Sequence, residues 1–189
     1  QHEPAGAAGS VRRRPPALLL TVALVVVVAI IWAVTSVGGN SGPSAPTSVP
    51  KIGPLGLSAG GLKGIVTSTL KQPVYWAGPK GADVYELTRT TPGNVYVRYL
   101  PPGVSVGDPH ASFLIVVTYP YPNALSRLKA VAHGAGVTLA NGSFALPDST
   151  YPKSVHMAFP GVGYEIEVYD PSPAVARRVA ESGAIQPVG

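Results

Sequence analysis

The chain has 189 residues, of which 46% are hydrophobic, and it contains no cysteine. This composition excludes disulfides, thiol catalysis and Cys-ligated zinc or iron–sulfur sites. The formal net charge of +5 is divided into +3 on residues 1–51 and +2 on residues 52–189. Polyanion binding needs clustered lysine and arginine, and no basic run in the second part exceeds Arg177–Arg178. Nucleic acid is therefore not an expected partner.

The N-terminal part of the sequence predicts a membrane anchor. Residues 1–16 are rich in Gly, Ala and Pro and are predicted to form a disordered tail. The chain begins at Gln1 rather than Met, so we expect further residues upstream. Residues 17–37 carry no charge, proline or glycine. As a helix, this stretch would be roughly 31 Å long, which matches the hydrocarbon core of a bilayer.

The charges beside this stretch predict its orientation. Arg12, Arg13 and Arg14 precede it, whereas the next positive charge is Lys51. The positive-inside rule then places the N-terminus in the cytoplasm and the rest of the chain outside, as a single-pass protein of the cell membrane. A cleaved signal peptide is the alternative, but its apolar region is normally about 7–15 residues long and ends at a small-x-small site. The longer run and the poor site before Gly38 favour an uncleaved anchor.

Residues 38–56, with four prolines among glycines and serines, are predicted to be a linker, and residues 57–189 an extracytoplasmic domain. Leu62, Val66 and Leu70 share one face of a short helix that ends before Pro73. Residues 74–77 are predicted to form a strand. Residues 83–90 and 94–100 are predicted to form a hairpin across Thr91-Pro92-Gly93, because proline fixes φ and glycine accepts a positive φ.

The second half of the domain has clearer signals. Residues 112–119 are almost continuously apolar, which is typical of a strand covered on both faces, so we expect it at the sheet centre. A helix capped by Asn123 and ended by Gly134 should follow, and then an edge strand at 137–140 and a loop to Pro152. Residues 154–159 and 163–169 are predicted to form a second hairpin.

A last helix over residues 174–182 is predicted, with Ser172 as its cap and Pro173 at its first position. The order of elements predicts an α+β fold: a two-layer domain of mostly antiparallel sheet with helices on one face, preceded by the transmembrane helix.

Motifs for known chemistries are weak or missing. His110, His133 and His156 are 23 residues apart each time and lack the close pairing of zinc ligands, so no metal site is predicted. No G-x-S-x-G turn, G-x-G-x-x-G run or Walker loop occurs, so no catalytic nucleophile, nucleotide or other cofactor is predicted. Ser126 and Ser172 are explained by hydrogen bonding at helix starts. Asn141-Gly142-Ser143 fits both a glycosylation sequon and a plain turn.

Glu165 and Glu167 alternate with apolar residues on one strand, so both point to the same side. Residues two apart on a strand are spaced by about 6.5–7 Å, which permits a glycosidase pair. The favoured interpretation is a pair of solvated glutamates on the wet face of the strand, because such faces are polar by default. No catalytic residue is predicted.

Tyrosines and arginines recur through the first half of the domain and suggest an aromatic platform for a glycan or a peptide. The alternative is that these tyrosines lie at the core edge with wet hydroxyls. The candidate ligand-binding residues are Tyr75, Trp76, Arg89, Arg98 and Tyr99.

Four stretches of the domain resemble those of single-span membrane proteins of high-GC actinobacteria that have no assigned function. These stretches are Pro73–Pro79, Tyr85–Thr90, Tyr96–Pro101 and Glu167–Pro173. The resemblance covers roughly the last two thirds of the chain and implies an envelope location, but it transfers no activity.

The sequence leaves three functions open. The favoured one is a membrane-anchored extracytoplasmic binding or interaction module of the cell envelope, whose partner is an envelope protein or a glycan. The alternatives are an envelope enzyme acting on glycan or peptide and a subunit of a membrane complex.

Overall fold

The computed structural model describes residues 49–81 and 84–189. Three α-helices lie in this part of the chain: α1 Ala59–Ile65, α2 Ala124–Val131 and α3 Pro173–Glu181. The strands are β1 Ile52–Leu57, β2 Tyr75–Trp76, β3 Val84–Arg89, β4 Val95–Leu100, β5 Ile115–Pro120, β6 Val137–Thr138, β7 Phe144–Pro147, β8 Ser154–Ala158, β9 Tyr164–Tyr169 and β10 Gln186–Pro187.

Eight of these strands form one sheet in the order β1-β3-β4-β5-β9-β8-β7-β6, and β10 pairs with β2 in a separate ribbon. Every pairing among the described residues is antiparallel. The α+β class is therefore confirmed. The apolar strand β5 lies between β4 and β9, at the centre of the sheet as predicted.

Both predicted hairpins are present. β3 pairs with β4 across the turn that contains Gly93, whose φ of +91° requires glycine. β8 pairs with β9 across the turn that contains Gly161, at φ +70°. The predicted first helix also forms, because Leu62, Val66 and Leu70 are all buried along α1 and the π-helical turn that continues it.

The register divides the sheet into two faces with different coverings. Directly opposed residues on neighbouring strands point to the same side. The first face is formed by residues that include Leu87, Val97, Val116, Val155, Met157, Ile166 and Val168. These residues share the largest hydrophobic cluster with α1, with α3 and with the β2–β10 ribbon. Most of the core therefore lies on this face.

The helix α2 packs on the opposite side. Its buried residues Ala124 and Leu128 contact Phe144 and Ala158. Ala158 is opposed to Glu165, so both point away from the first face. We call this side the second face. The predicted placement of all helices on one face is thus wrong, because the chain crosses to the second face after β5 and an amphipathic pattern does not specify which face a helix covers.

The segment that joins β4 to β5, residues 101–114, covers another part of the second face. Phe113 from this segment packs with Leu100, Ile115 and Val117 in a cluster of its own. Between this segment and α2 the second face carries polar side chains.

Three short strands were not predicted. β1 begins at Ile52, inside the predicted linker 38–56, so the folded domain begins at least that early. β7 lies in the predicted loop before Pro152, and β10 ends the described chain. All three contain proline, which argues against strand in a sequence pattern. β1 and β10 are fixed by pairing with strands distant in sequence, and β7 by pairing with its neighbours β6 and β8.

Asn123 and Ser172 occupy the N-cap positions of α2 and α3 as predicted, but neither side chain makes the expected capping bond. Asn123 precedes α2 in a left-handed conformation with φ 60°, and its side chain makes no capping bond. Its carbonyl instead accepts a hydrogen bond from the Ser126 hydroxyl at 2.9 Å. Ser172 precedes α3 without a capping side-chain bond, and its amide donates to Asp170.

Within the described residues, no helix combines the length and the apolar character that crossing a bilayer requires. The predicted tail 1–16 and the predicted span 17–37 lie outside those residues.

Candidate functional site

The second face brings together a polar group that we call the histidine–carboxylate cluster. It combines side chains from β5, β8 and β9 with one from the turn after β7. Its members are Tyr119, Asp148, Ser154, His156, Glu165 and Glu167.

Glu167 is the most enclosed carboxylate of the cluster, with 5% of the residue exposed. The Tyr119 hydroxyl donates to one of its oxygens at 2.5 Å and the Ser154 hydroxyl to the other at 2.6 Å. Burying a charge without partners is costly, and two hydroxyl donors offset that cost. These donors come from the strands on either side of β9, so the network also links β5, β9 and β8.

His156 lies between two carboxylates. Its Nδ1 is 2.8 Å from Glu165 Oε1 and its Nε2 is 3.3 Å from Asp148 Oδ2. Burial lowers the pKa of His156, but the hydrogen bonds and negative charges of Glu165, Glu167 and Asp148 outweigh burial and raise this pKa to about 9. At neutral pH the imidazole is therefore charged and donates to both carboxylates.

Asp148 organises the turn that precedes β8. Its Oδ1 accepts the backbone amides of Thr150 at 2.7 Å and Tyr151 at 3.0 Å. Burial alone would raise the pKa of Asp148. The hydrogen bonds from these amides and from His156 outweigh burial, so the pKa of Asp148 lies below its ordinary value. Asp148 thus fixes the turn and connects it to the sheet through His156.

Tyr119 completes the cluster on the central strand. Burial and the charge of Glu167 raise the pKa of Tyr119 well above its usual value. Its hydroxyl therefore keeps its proton and acts as a donor to Glu167.

The prediction that Glu165 and Glu167 are exposed to solvent is therefore wrong. Glu165 and Glu167 do share one side of β9, as the alternation predicted, but only 8% and 5% of these residues are exposed. The reason is that α2 and residues 101–114 cover the second face on either side of them. Alternation identifies a shared face without showing what covers it.

Four of the five predicted ligand-binding residues lie on the first face or in the ribbon, and all four are buried: Tyr75, Trp76, Arg89 and Tyr99. The Trp76 and Tyr85 rings are 5.6 Å apart at the centroids, and the Tyr85 and Tyr99 rings 5.2 Å. These aromatic residues form part of the core beneath the ribbon and do not form an exposed platform. Their binding of a ligand stays a prediction.

The two predicted arginines have separate structural contacts. Arg89 Nε donates to the Pro50 carbonyl at 2.8 Å, which ties the start of the described chain to β3. Arg98 lies on the second face, where its Nη1 is 2.5 Å from Glu86 Oε1. Arg98 Nη2 donates to the Asp108 carbonyl at 2.6 Å and so holds residues 101–114 against the sheet. The structure does not bring Arg98 together with the other four.

The described part of the chain contains no group of three His, Asp or Glu side chains arranged to hold a metal ion. His110 is exposed and contacts Asp108, and His133 lies in the turn after α2. Of the three histidines in the described residues, His156 alone joins a larger polar group.

Two of the shallow depressions on the described surface lie away from the cluster. One is lined by α3 residues that include Arg177 and Glu181. The other, of about 460 Å³, lies between the start of α2 and the β8–β9 turn and is lined by residues that include Leu125 and Phe159. Neither includes a member of the histidine–carboxylate cluster. Sequence reasoning singled out the pair Glu165 and Glu167 and, separately, His156, and only the cross-strand register joins the histidine to the pair.

Comparison with known proteins gives no assignment: the chain matches no family model, no curated protein and no solved structure.

Proposed function

We propose that this protein is a membrane-anchored extracytoplasmic binding or interaction module of the cell envelope. The observation that carries the proposal is the uncharged stretch 17–37, preceded by three arginines and followed by an α+β domain. The resemblance to single-span membrane proteins of actinobacteria implies the same envelope setting.

The polar side chains of the domain favour a role other than catalysis. The Glu167 carboxylate is satisfied by two hydroxyls, and both nitrogens of His156 are engaged by carboxylates. A general base must reach the proton that it removes, and here Glu167 and His156 are instead engaged by side chains of the protein. The cluster instead joins three strands and one turn.

Because the chain has no cysteine, single introduced cysteines can show on which side of the membrane each part of the chain lies. Single cysteines are introduced at Ser10 in the predicted tail and at exposed Ser149 in the turn before β8. A membrane-impermeant maleimide added to intact cells should label S149C at once and S10C only after the cells are permeabilised. Labelling of S149C only after lysis, or a soluble product shortened near Gly38, would overturn the proposal.

An envelope enzyme acting on glycan or peptide is the second candidate, and one observation favours it. Three carboxylates and a histidine with a raised pKa converge on one face, and perturbed ionisable groups concentrate at active sites. Purified cell-wall glycan strands incubated with the protein should release fragments if this candidate is correct, and Glu165→Gln should abolish the release. No release by the wild-type protein argues against it.

The third candidate, a subunit of a membrane complex, is tested by detergent pull-down of the tagged protein from its native membrane, with mass spectrometry. A specific membrane partner recovered in fixed proportion supports this candidate. A soluble envelope protein or glycan supports the interaction module.

A further inference from the structure

The antiparallel register gathers one set of loops at the end of the sheet where the described chain begins. We call it the entry end. At this end β1, β4, β7 and β9 begin, and β3, β5, β6 and β8 terminate. The loops at the entry end are residues 49–51, 70–74, 90–94, 120–123, 139–143 and 159–163.

Hydrogen bonds tie these loops to one another. The Val49 amide donates to the Thr91 carbonyl at 3.3 Å, and the Gln72 side chain donates to the Gly93 carbonyl at 2.8 Å. The Tyr121 amide donates to the Gly163 carbonyl at 2.9 Å. Residues 49–51, 70–74 and 90–94 are thus joined into one group, and residues 120–123 and 159–163 into a second.

Charged residues are distributed unevenly between the two ends of the sheet. The entry-end loops and the first turn of α2 contain three exposed basic residues, Lys51, Lys71 and Arg127, and no acidic residue. The acid nearest to this end, Glu165, is buried and bonded to His156.

The loops at the opposite end have a different balance. Among the described residues there, Asp108 and Asp170 are balanced by Lys80 and Lys153, and Asp148 is paired with His156. The net charge is therefore positive at the entry end and close to zero at the far end. Such an asymmetry orients a domain in the field of a charged surface.

We propose that the entry end docks on the anionic phospholipid headgroups of the membrane that anchors the chain. This inference rests on the proposed membrane anchor. Residues 38–48 alone separate the predicted span from Val49, and 11 residues span about 34 Å in an extended polyproline conformation. The described chain begins at the entry end, and the charge of this end is complementary to an anionic surface.

The side chains at the entry end suit a headgroup layer. The Arg127 guanidinium lies 4.9 Å from the Tyr121 ring and donates to the Tyr121 hydroxyl at 3.1 Å. Tyrosine and arginine are both common at the level of lipid headgroups. Each basic residue near an anionic leaflet strengthens its attraction about fivefold, and the effect is lost within a Debye length or on adding salt.

The full-length chain, reconstituted in lipid nanodiscs, allows a site-specific test. An environment-sensitive fluorophore is attached to Thr91→Cys at the entry end and, in a second sample, to Ser105→Cys at the far end, since both residues are exposed and the chain has no other cysteine. Nanodiscs of phosphatidylcholine alone are compared with nanodiscs that also contain phosphatidylglycerol.

The expected result is a blue shift at T91C that requires phosphatidylglycerol and disappears at high salt, with no shift at S105C. Neutralising Lys51, Lys71 and Arg127 to glutamine should abolish the shift. Neutralising Lys80 and Lys153 at the far end to glutamine is the control and should preserve it. No dependence on lipid charge at T91C, or equal shifts at both sites, would overturn the docking.

Failure of the anchor is distinguished from failure of the docking. A chain that does not incorporate into nanodiscs refutes the anchor. The same labelled chain is then mixed with phosphatidylglycerol vesicles. A blue shift at T91C with sedimentation supports the docking surface, and the absence of both overturns it.

Discussion

At the scale of single residues, His156 makes the stability of the domain depend on pH. Its pKa is raised to about 9 by two carboxylate partners, whereas an unfolded histidine has a pKa of about 6.5. The stabilisation is therefore complete below pH 6.5, declines as pH rises, and is lost above about 9. We expect the free energy of unfolding to fall by about 2–3 kcal/mol over this window.

Urea unfolding at several pH values measures this loss. His156→Gln should be less stable than wild type at pH 6 and should lack the decline. His133→Asn is the matched control, because His133 is exposed at φ 47° and asparagine tolerates that conformation. A decline that survives in His156→Gln would assign the pH dependence to other groups.

The Glu86–Arg98 ion pair gives a second prediction at this scale. Glu86 is 1% exposed, and its other oxygen accepts the Gly107 amide at 2.6 Å. Glu86→Gln leaves the Arg98 charge buried without its counter-charge, which should cost about 3 kcal/mol or more.

Chemical denaturation compares this variant with Glu181→Gln. Glu181 forms an exposed pair with Arg177 on α3, so its loss should cost less than about 0.5 kcal/mol. Similar costs for the two variants would contradict the structural role of the buried pair.

At the scale of elements, the turn before β6 depends on one glycine. Gly136 has φ +86°, and a Cβ there would lie 2.6 Å from the Phe144 ring and 2.7 Å from the Ala145 carbonyl oxygen. Because backbone cannot move aside cheaply, Gly136→Ala should destabilise the domain by more than about 1 kcal/mol.

The matched control is Gly60→Ala in α1, where a Cβ meets nothing within 4 Å. Alanine is the better helix former, so this change should stabilise the domain by up to about 1 kcal/mol. Thermal unfolding of both variants should give midpoints that move in opposite directions from wild type. Shifts in the same direction would contradict the geometry of one of the two positions.

The elements that sequence predicts well are those whose signals are local. The turn Thr91-Pro92-Gly93 and the apolar run of β5 specify themselves, because proline, glycine and β-branched residues restrict their own backbones. β1 and β10 depend on partners 28 or more residues away, as Leu57 pairs with Tyr85 and Gln186 with Trp76. No local pattern encodes such pairings.

The same distinction explains the candidate site. The alternation in β9 placed Glu165 and Glu167 together, which is a local property. Their partner His156 is cross-strand and Tyr119 comes from a strand 48 residues earlier than Glu167. Two carboxylates two residues apart on a strand therefore give the same sequence pattern whether they are exposed to solvent or buried. Only the packing of the whole fold determines which of the two occurs.

At the scale of the whole molecule, the proposed function depends on whether residues 17–37 hold the chain in the bilayer. An aspartate near the centre of a span costs about 2.5–3.5 kcal/mol on the insertion scale. Val26→Asp combined with Ile30→Asp should therefore cost about 5–7 kcal/mol and move the protein from the membrane fraction to the soluble fraction.

Carbonate extraction of membranes followed by immunoblotting measures this change. Val26→Leu combined with Ile30→Leu is the control, since it preserves the apolar length and should stay in the membrane. The domain lies outside the altered stretch, so the pH dependence set by His156 should be the same in both variants. A double-aspartate variant that remains resistant to carbonate would mean that something other than this stretch retains the chain, and the domain's own surface, the entry end first, would then have to supply the attachment.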